Sequence, residues 1–246
     1  MTGWPGGAVA ALLAVVALAA ATLAGVTGFG GAAVLLPVLV GAFGIRDAIP
    51  ILTVAQLVGN GSRVWFNRSE LDLRVALWYT LGAVPFGLLG GFLFAEAPLR
   101  GLERLLGIFL ILIVVWRHRP RRRPARSFPV PTFAAIGAGA SVLSALVGSV
   151  GPIMAPLFLA YGLVKGAYIG TEALATVVTH VAKLAAYGEA SVMSWREVGI
   201  GLALGPLMVT GSYLGKRITD RLAVRTFTVL IELTMLVAGV VFAIRG

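Results

Sequence analysis

The side chains best suited to binding a charged solute lie close together in one apolar segment of the second half of the chain. This segment contains Thr171, Glu172, Thr176, His180 and Lys183. The last three are spaced four and three residues apart, which places them on one face of a helix. A charged side chain inside an apolar span is costly and usually marks a function. One lysine among neutral hydrogen-bonding groups provides the counter-charge and the donors that a small anion requires.

A second polar face is predicted at the matching place in the first half of the chain. Thr53, Gln56 and Asn60 are spaced three and four residues apart, and none of them is charged. We expect the two faces to meet at the centre of the molecule. The alternative is that Gln56 and Asn60 only hold neighbouring helices together through hydrogen bonds.

Lys183 also has a purely structural alternative, in which it extends to the membrane surface or pairs with Glu172 or Glu189. Proton exchange is a further possibility for this segment. His180 has a side chain that titrates near neutral pH, and Glu172 could exchange a proton if it is buried. Glu172 and His180 are therefore the candidates for coupling transport to a proton gradient.

Two glycine clusters interrupt the longest uncharged stretches, which run from 1 to 45 and from 128 to 164. The second stretch would form a helix of roughly 55 Å, whereas the hydrocarbon core of a bilayer is about 30 Å thick. Each stretch is therefore predicted to break, at 28–31 and at 148–151. A helix that restarts at a break offers N–H groups and the positive end of its dipole to an anion. The break residues predicted to bind the anion are Thr27, Gly30, Gly31, Ser149 and Gly151.

The order of glycine and proline residues predicts an internal duplication. After its glycine cluster the first half has Pro37 and Pro85, which are 48 residues apart. The second half has Pro156 and Pro206, which are 50 residues apart. Related halves should place their helix-breaking residues at similar offsets. The predicted units are a first transmembrane repeat at 1–116, a basic cytoplasmic linker at 117–127 and a second transmembrane repeat at 128–246.

Composition restricts the chain to a membrane protein. Of its 246 residues, 59% are hydrophobic and 12% are charged, whereas a soluble domain has about 25% charged residues. At about 20 apolar residues for each membrane helix, the chain has room for about 8 to 10 membrane segments. The net charge of +10 comes from arginines in short loops, where it reports orientation in the membrane and not a nucleic-acid partner.

The distribution of lysine and arginine favours a hairpin at the start of each half. With hairpins, 14 of these residues lie on the cytoplasmic side, Arg63 among them, and 5 lie outside. With a single crossing the count becomes 11 against 8. Each half then ends on the side opposite to where it began, so the fold is predicted to be an all-α polytopic membrane protein with two inverted repeats. The later spans are predicted at 47–66, 74–95, 98–116, 166–187, 197–215 and 222–244.

These motifs resemble the TauE/SafE family of sulfite exporters, also called the 4-toluene sulfonate uptake permease family. The resemblance rests on the glycine break and following proline of each half, the basic central loop, and the run from Gly170-Thr171 through Lys183 to Tyr187-Gly188. It implies a bacterial inner-membrane protein of about eight helices that moves sulfite, sulfonates or related anions. It also implies that Lys183 and the two glycine turns form the site.

We therefore expect a multi-pass carrier in the bacterial inner membrane that moves a small anion by alternating access. A passive anion channel and a membrane scaffold without transport remain the alternatives. An intramembrane enzyme is disfavoured, because Ser149 and His180 are its only candidate nucleophile and base, and no nucleophile elbow surrounds Ser149. The expected partners are the anion and the lipid bilayer, with a homodimer left open, and neither a metal nor an organic cofactor is indicated.

Overall fold

The computed structural model describes residues 6–98, 129–223 and 226, and these residues form α-helices joined by short turns, without a strand. The helices of the first half are α1 (Gly7–Thr27), α2 (Gly31–Phe43), α3 (Ile45–Phe66) and α4 (Leu73–Glu96). Those of the second half are α5 (Thr132–Val147), α6 (Gly151–Tyr161), α7 (Lys165–Glu189), α8 (Trp195–Ala203) and α9 (Gly205–Arg221).

The all-helical membrane fold is confirmed. In the part of the chain that the structure describes, α1, α4 and the continuous segment from α8 through α9 are long and apolar enough to cross a membrane. α2 and α5 are shorter apolar helices. The predicted span at 98–116, the linker at 117–127 and nearly all of the span at 222–244 lie outside the described residues. The number of membrane segments therefore stays a prediction.

Both predicted glycine breaks are confirmed. α1 ends at Gly28 and α2 starts after Gly30, and both glycines have positive φ angles, of 81° and 91°. α5 ends at Gly148, whose φ is 87°. α2 and α6 have 13 and 11 residues, which makes them about 20 Å and 17 Å long, shorter than a bilayer core of about 30 Å. Each opening stretch is thus a helix that ends at the break, α1 with 21 residues and α5 with 16, followed by a second helix too short to cross the membrane alone.

The later helices of each half pack against the first helix of the other half. α4 contacts α5 and α7, whereas α9 contacts α1 and α3. α3 and α7 also pack against each other. Glycines allow these close approaches: a methyl group on Gly25 of α1 would lie 3.0 Å from the Cα atom of Gly215 in α9. The contacts between halves are therefore reciprocal.

Substituting one glycine at the contact of α4 with α5 should destabilise the protein, although alanine is the better helix former. A methyl group on Gly137 would lie 2.3 Å from the carbonyl oxygen of Tyr79, so Gly137→Ala should cost about 1–3 kcal/mol through overpacking. Gly139, two residues along α5, has open space around it, and Gly139→Ala should stabilise by about 0.5–1 kcal/mol. Thermal unfolding of both variants in detergent tests this contrast. Equal melting temperatures would contradict the close packing of α4 on α5.

Candidate functional site

Lys183 lies in the interior of the bundle and binds the end of a neighbouring helix. Its side chain is fully buried. Its ammonium group donates to the carbonyl oxygen of Ser144 at 3.2 Å, to the Ser144 hydroxyl at 3.2 Å and to the carbonyl oxygen of Gly148 at 3.1 Å. The last carbonyls of a helix lack partners within the helix, and here the lysine of α7 supplies partners for α5. Among the described residues Lys183 forms no ion pair with Glu172 or Glu189, so the alternative that it serves only as the partner of one of these carboxylates is wrong.

Other residues of the same sequence run also connect helices. The Tyr187 hydroxyl donates to the carbonyl oxygen of Ala145 at 2.6 Å, which adds a second bond from α7 to the last turn of α5. The hydroxyl of Thr171 accepts a hydrogen bond from the backbone N–H of Asp72 at 2.9 Å. Thr171, a predicted binding residue, therefore joins α7 to the start of α4 in this structure.

Arg63 is a central residue that sequence reasoning missed. The distribution of basic residues predicts it on the cytoplasmic side, but its side chain turns into the bundle, and only 5% of its surface is exposed. Its guanidinium group donates to the carbonyl oxygens of Gly28 at 2.7 Å and Ala24 at 3.2 Å, and also to the side-chain oxygen of Asn60. Arg63 thereby binds the end of α1 as Lys183 binds the end of α5.

The cation of each half and the carbonyls that it binds have the same spacing in the sequence. In each half, a cation on the third helix donates to two carbonyls at the end of the first helix, four residues apart. Every residue of the first arrangement precedes its counterpart by 120 positions. The two sets are Ala24, Gly28 and Arg63, and Ser144, Gly148 and Lys183. This offset is the signal that identifies Arg63 from the sequence once Lys183 has been chosen.

Glu172 breaks the correspondence between the halves. Its side chain is buried, and its Oε2 lies 3.8 Å from the guanidinium group of Arg63. Its Oε1 accepts a hydrogen bond from Thr176 at 3.0 Å, whereas Oε2 has no hydrogen-bond partner in the described structure. The position 120 residues earlier is Leu52, which is apolar. Arg63 therefore has a carboxylate beside it, and Lys183 has none among the described residues.

A small cavity lies between the second break and the polar face of α7. Its volume of about 20 Å³ is room for about one water molecule. Val150 and Met154 contribute apolar surface, and Gly151 lies at its edge. The polar side chains that line it are Tyr79, Ser144, Ser149, Glu172, Thr176 and Thr179. The structure thus brings together four of the predicted residues, namely Ser149, Gly151, Glu172 and Thr176.

The hydroxyl groups at one wall of the cavity form a network between helices. Thr179 Oγ1 lies 2.9 Å from the Ser141 hydroxyl and 3.3 Å from the Tyr79 hydroxyl. These residues come from α7, α5 and α4. Sequence reasoning left them out of the site, because the network requires α4 of the first half to pack into the second half.

The two glycine breaks meet at the centre of the bundle. A methyl group on Gly151, the first residue of α6, would lie 2.8 Å from Phe29 Cβ in the first break. The N-cap residues Gly30 and Val150 make no side-chain hydrogen bond to α2 or α6, and the N–H of Gly151 donates only a long hydrogen bond, of 3.5 Å, to the Ser149 hydroxyl. Helix N-termini attract anions through their N–H groups and dipoles, so both breaks present positive potential to the same region.

The predicted threonines of the first half face their own backbone. The Thr27 hydroxyl donates to the carbonyl oxygens of Leu23 and Phe29, and the Thr53 hydroxyl donates to that of Ile49. Gly31 packs against α1, since a methyl group there would lie 2.7 Å from the carbonyl oxygen of Ala20. These contacts hold the first break together, and binding of a solute by the threonines stays a prediction.

The polar faces of α3 and α7 keep some unused hydrogen-bonding capacity. The side-chain amide of Asn60 donates to the side-chain oxygen of Gln56 at 3.4 Å, a long hydrogen bond. His180, 120 positions after Asn60, is buried, and neither of its ring nitrogens has a hydrogen-bond partner among the described residues. Buried polar atoms usually have partners, so His180 is available to one that arrives with the solute.

The described charges around the breaks leave an excess of one positive charge. Within this part of the chain, Arg63 and Lys183 are the buried cations, and Glu172 is the buried carboxylate beside them. Glu197, the other buried carboxylate that the structure describes, belongs to a capping box with Ser194 at the start of α8. A buried charge needs a partner, so the centre is suited to an anion.

A helical bundle with three long apolar helices and buried cations at broken helices defines a multi-pass membrane protein with a polar interior. The chain belongs to the sulfite exporter TauE/SafE family, whose model matches residues 13–242, nearly the whole sequence. The resemblance seen in the sequence is thereby confirmed, and it places the chain in a family of membrane transporters for sulfur-containing anions. No curated protein and no solved structure matches the sequence.

Proposed function

We propose that this protein is a secondary transporter of sulfite, a sulfonate or a related small organic anion in the bacterial inner membrane. The observation that carries this proposal is the pair of buried cations, Arg63 and Lys183, at the two helix breaks. Only one carboxylate, Glu172, balances them in the described centre. An anion supplies the missing negative charge, and membership of a sulfite exporter family favours sulfur oxyanions.

The proposed mechanism is alternating access by two inverted repeats, at 1–116 and 128–246, joined by the linker at 117–127. The common offset of 120 residues between the two cation arrangements supports the duplication. The reciprocal packing of α4 on α5 and of α9 on α1 also supports it. The one-water cavity is too small for a sulfur oxyanion, so binding and release require one repeat to move against the other.

The proposed site lies where the breaks meet. The predicted lining residues stay as proposed: Thr27, Gly30, Gly31, Thr53, Gln56, Asn60, Ser149, Gly151, Thr171, Thr176, His180 and Lys183. Arg63 is added to them, because it occupies the position of Lys183 in the first half. Glu172 and His180 are the proposed groups for proton coupling.

Counterflow in proteoliposomes tests the proposed function. Vesicles with purified protein and loaded with unlabelled sulfite should accumulate radiolabelled sulfite transiently, with saturation kinetics. A short sulfonate should compete, and acetate should compete less. A channel would give uptake without counterflow, and a scaffold would give neither, so either result would refute the carrier.

A further inference from the structure

We propose that Glu172 determines how much negative charge the central site accepts, so that singly charged sulfur anions bind and doubly charged ones are excluded. The accepted class comprises alkylsulfonates and bisulfite, and the excluded class comprises sulfate and the sulfite dianion. This inference rests on the proposed function, because it takes the cavity beside α7, enlarged by the movement of one repeat against the other, to be the place where the anion binds.

The first argument is the position of Glu172 at the cavity. Its carboxylate lines the cavity, and only 4% of the residue is exposed. Its Oε2 has no hydrogen-bond partner among the described groups and lies 3.8 Å from Arg63, beyond hydrogen-bonding distance. An anion in the cavity is thus close to a carboxylate that repels it. The O–H group of bisulfite could donate to this oxygen, whereas sulfate has no proton to donate near neutral pH.

The second argument is the order of charges along α7. Glu172 and Lys183 are eleven residues apart, or about 16 Å along the helix axis. The cavity is lined both by Glu172 and by Ser144, whose hydroxyl accepts a hydrogen bond from Lys183. Arg63 lies beside Glu172, so its charge is largely balanced. Among the described residues, Lys183 is left as the buried cation that has no carboxylate beside it.

The third argument is the cost of burying excess charge. One negative charge brought to this centre balances the positive charge of Lys183, and the buried region becomes neutral. A second negative charge would remain unpaired, which is unfavourable in a region of low dielectric constant. Glu172→Gln would free the charge of Arg63 for the ligand, and the site should then favour dianions.

The test compares methanesulfonate with sulfate, two ions of similar size that differ by one charge. Binding is measured calorimetrically on the purified full-length protein in detergent, at constant ionic strength. Wild type should bind methanesulfonate more tightly than sulfate, by roughly tenfold to a hundredfold. In Glu172→Gln the ratio of the affinity for methanesulfonate to the affinity for sulfate should fall by a similar factor or invert.

Glu197→Gln is the matched control, because it makes the same change at a buried carboxylate in the capping box of α8. Glutamine also suits that position of a capping box. The ratio should stay at its wild-type value in this control and in Glu172→Asp, which keeps the charge. If Glu172→Gln does not fold, the relative affinities of wild type for methanesulfonate and sulfate still decide the inference.

Two results would overturn the inference: tight binding of sulfate by wild type, or an unchanged ratio in Glu172→Gln. Failure of wild type to bind either ion would overturn it as well. These binding results are independent of the counterflow measurement that tests the proposed function. Counterflow of sulfite without a preference for single charges refutes only the role of Glu172, whereas the preference without counterflow refutes only the carrier.

Discussion

Lys183→Gln should reduce counterflow of sulfite by about thirtyfold or more, since loss of a buried charged partner costs about 2–5 kcal/mol. The amide side chain can still donate to a carbonyl of α5, but it carries no charge for the anion. The measurement is the initial rate of radiolabelled uptake into proteoliposomes with equal amounts of protein.

Tyr187→Phe is the control that separates the charge of Lys183 from its structural contacts. The Tyr187 hydroxyl also bonds to the last turn of α5, through Ala145. Loss of this hydrogen bond should lower the melting temperature slightly, because a hydrogen bond contributes about 0.5–1.5 kcal/mol. Uptake should stay near the wild-type rate. If Tyr187→Phe lost uptake as completely as Lys183→Gln, the end of α5 and not the charge would be the important feature. Wild-type uptake by Lys183→Gln would refute the role of Lys183 as counter-charge.

Arg63→Gln should destabilise the fold by about 3–5 kcal/mol, because it leaves Glu172 buried without its cation. The Gly28 and Ala24 carbonyls also lose their donor. Adding Glu172→Gln should recover part of this loss, since the double variant has no unpaired carboxylate. Thermal unfolding in detergent, followed by tryptophan fluorescence, measures all three variants, and the chain has five tryptophans for this purpose.

The coupling free energy between Arg63→Gln and Glu172→Gln decides whether the two side chains interact as the structure indicates. Additive effects of Arg63→Gln and Glu172→Gln would show that they do not. Coupling of about 1 kcal/mol or more, with the double variant more stable than the sum of the singles predicts, is the expected result.

Much of the fold could be predicted because its signals are local. The breaks follow from uncharged stretches too long to cross the membrane, and they occur within the predicted clusters at 28–31 and 148–151. The helices α3, α4 and α7 begin and end within two residues of the predicted spans. Burial of Lys183 also follows from local sequence, since it lies well inside an apolar segment.

The remainder of the site depends on contacts between distant parts of the chain. Arg63 lies one turn before the end of α3, where an arginine usually extends to the membrane surface. Only the three-dimensional position of the end of α1 shows that Arg63 turns inwards to the carbonyl oxygen of Gly28. The hydroxyl network of Tyr79, Ser141 and Thr179 could not be predicted from the sequence either, because its members are separated by up to 100 positions.

The reciprocal packing of the two halves has a consequence for biosynthesis. α1 leaves the ribosome before α9, but the surface of α1 around Gly25 packs closely against Gly215 of α9. Until about 190 further residues have been translated, that side of α1 can contact only lipid or the insertion machinery. The first half is therefore an incomplete folding unit, and we expect it to be a substrate for membrane proteases when it is expressed alone. Co-expression of the second half as a separate chain should protect it from degradation.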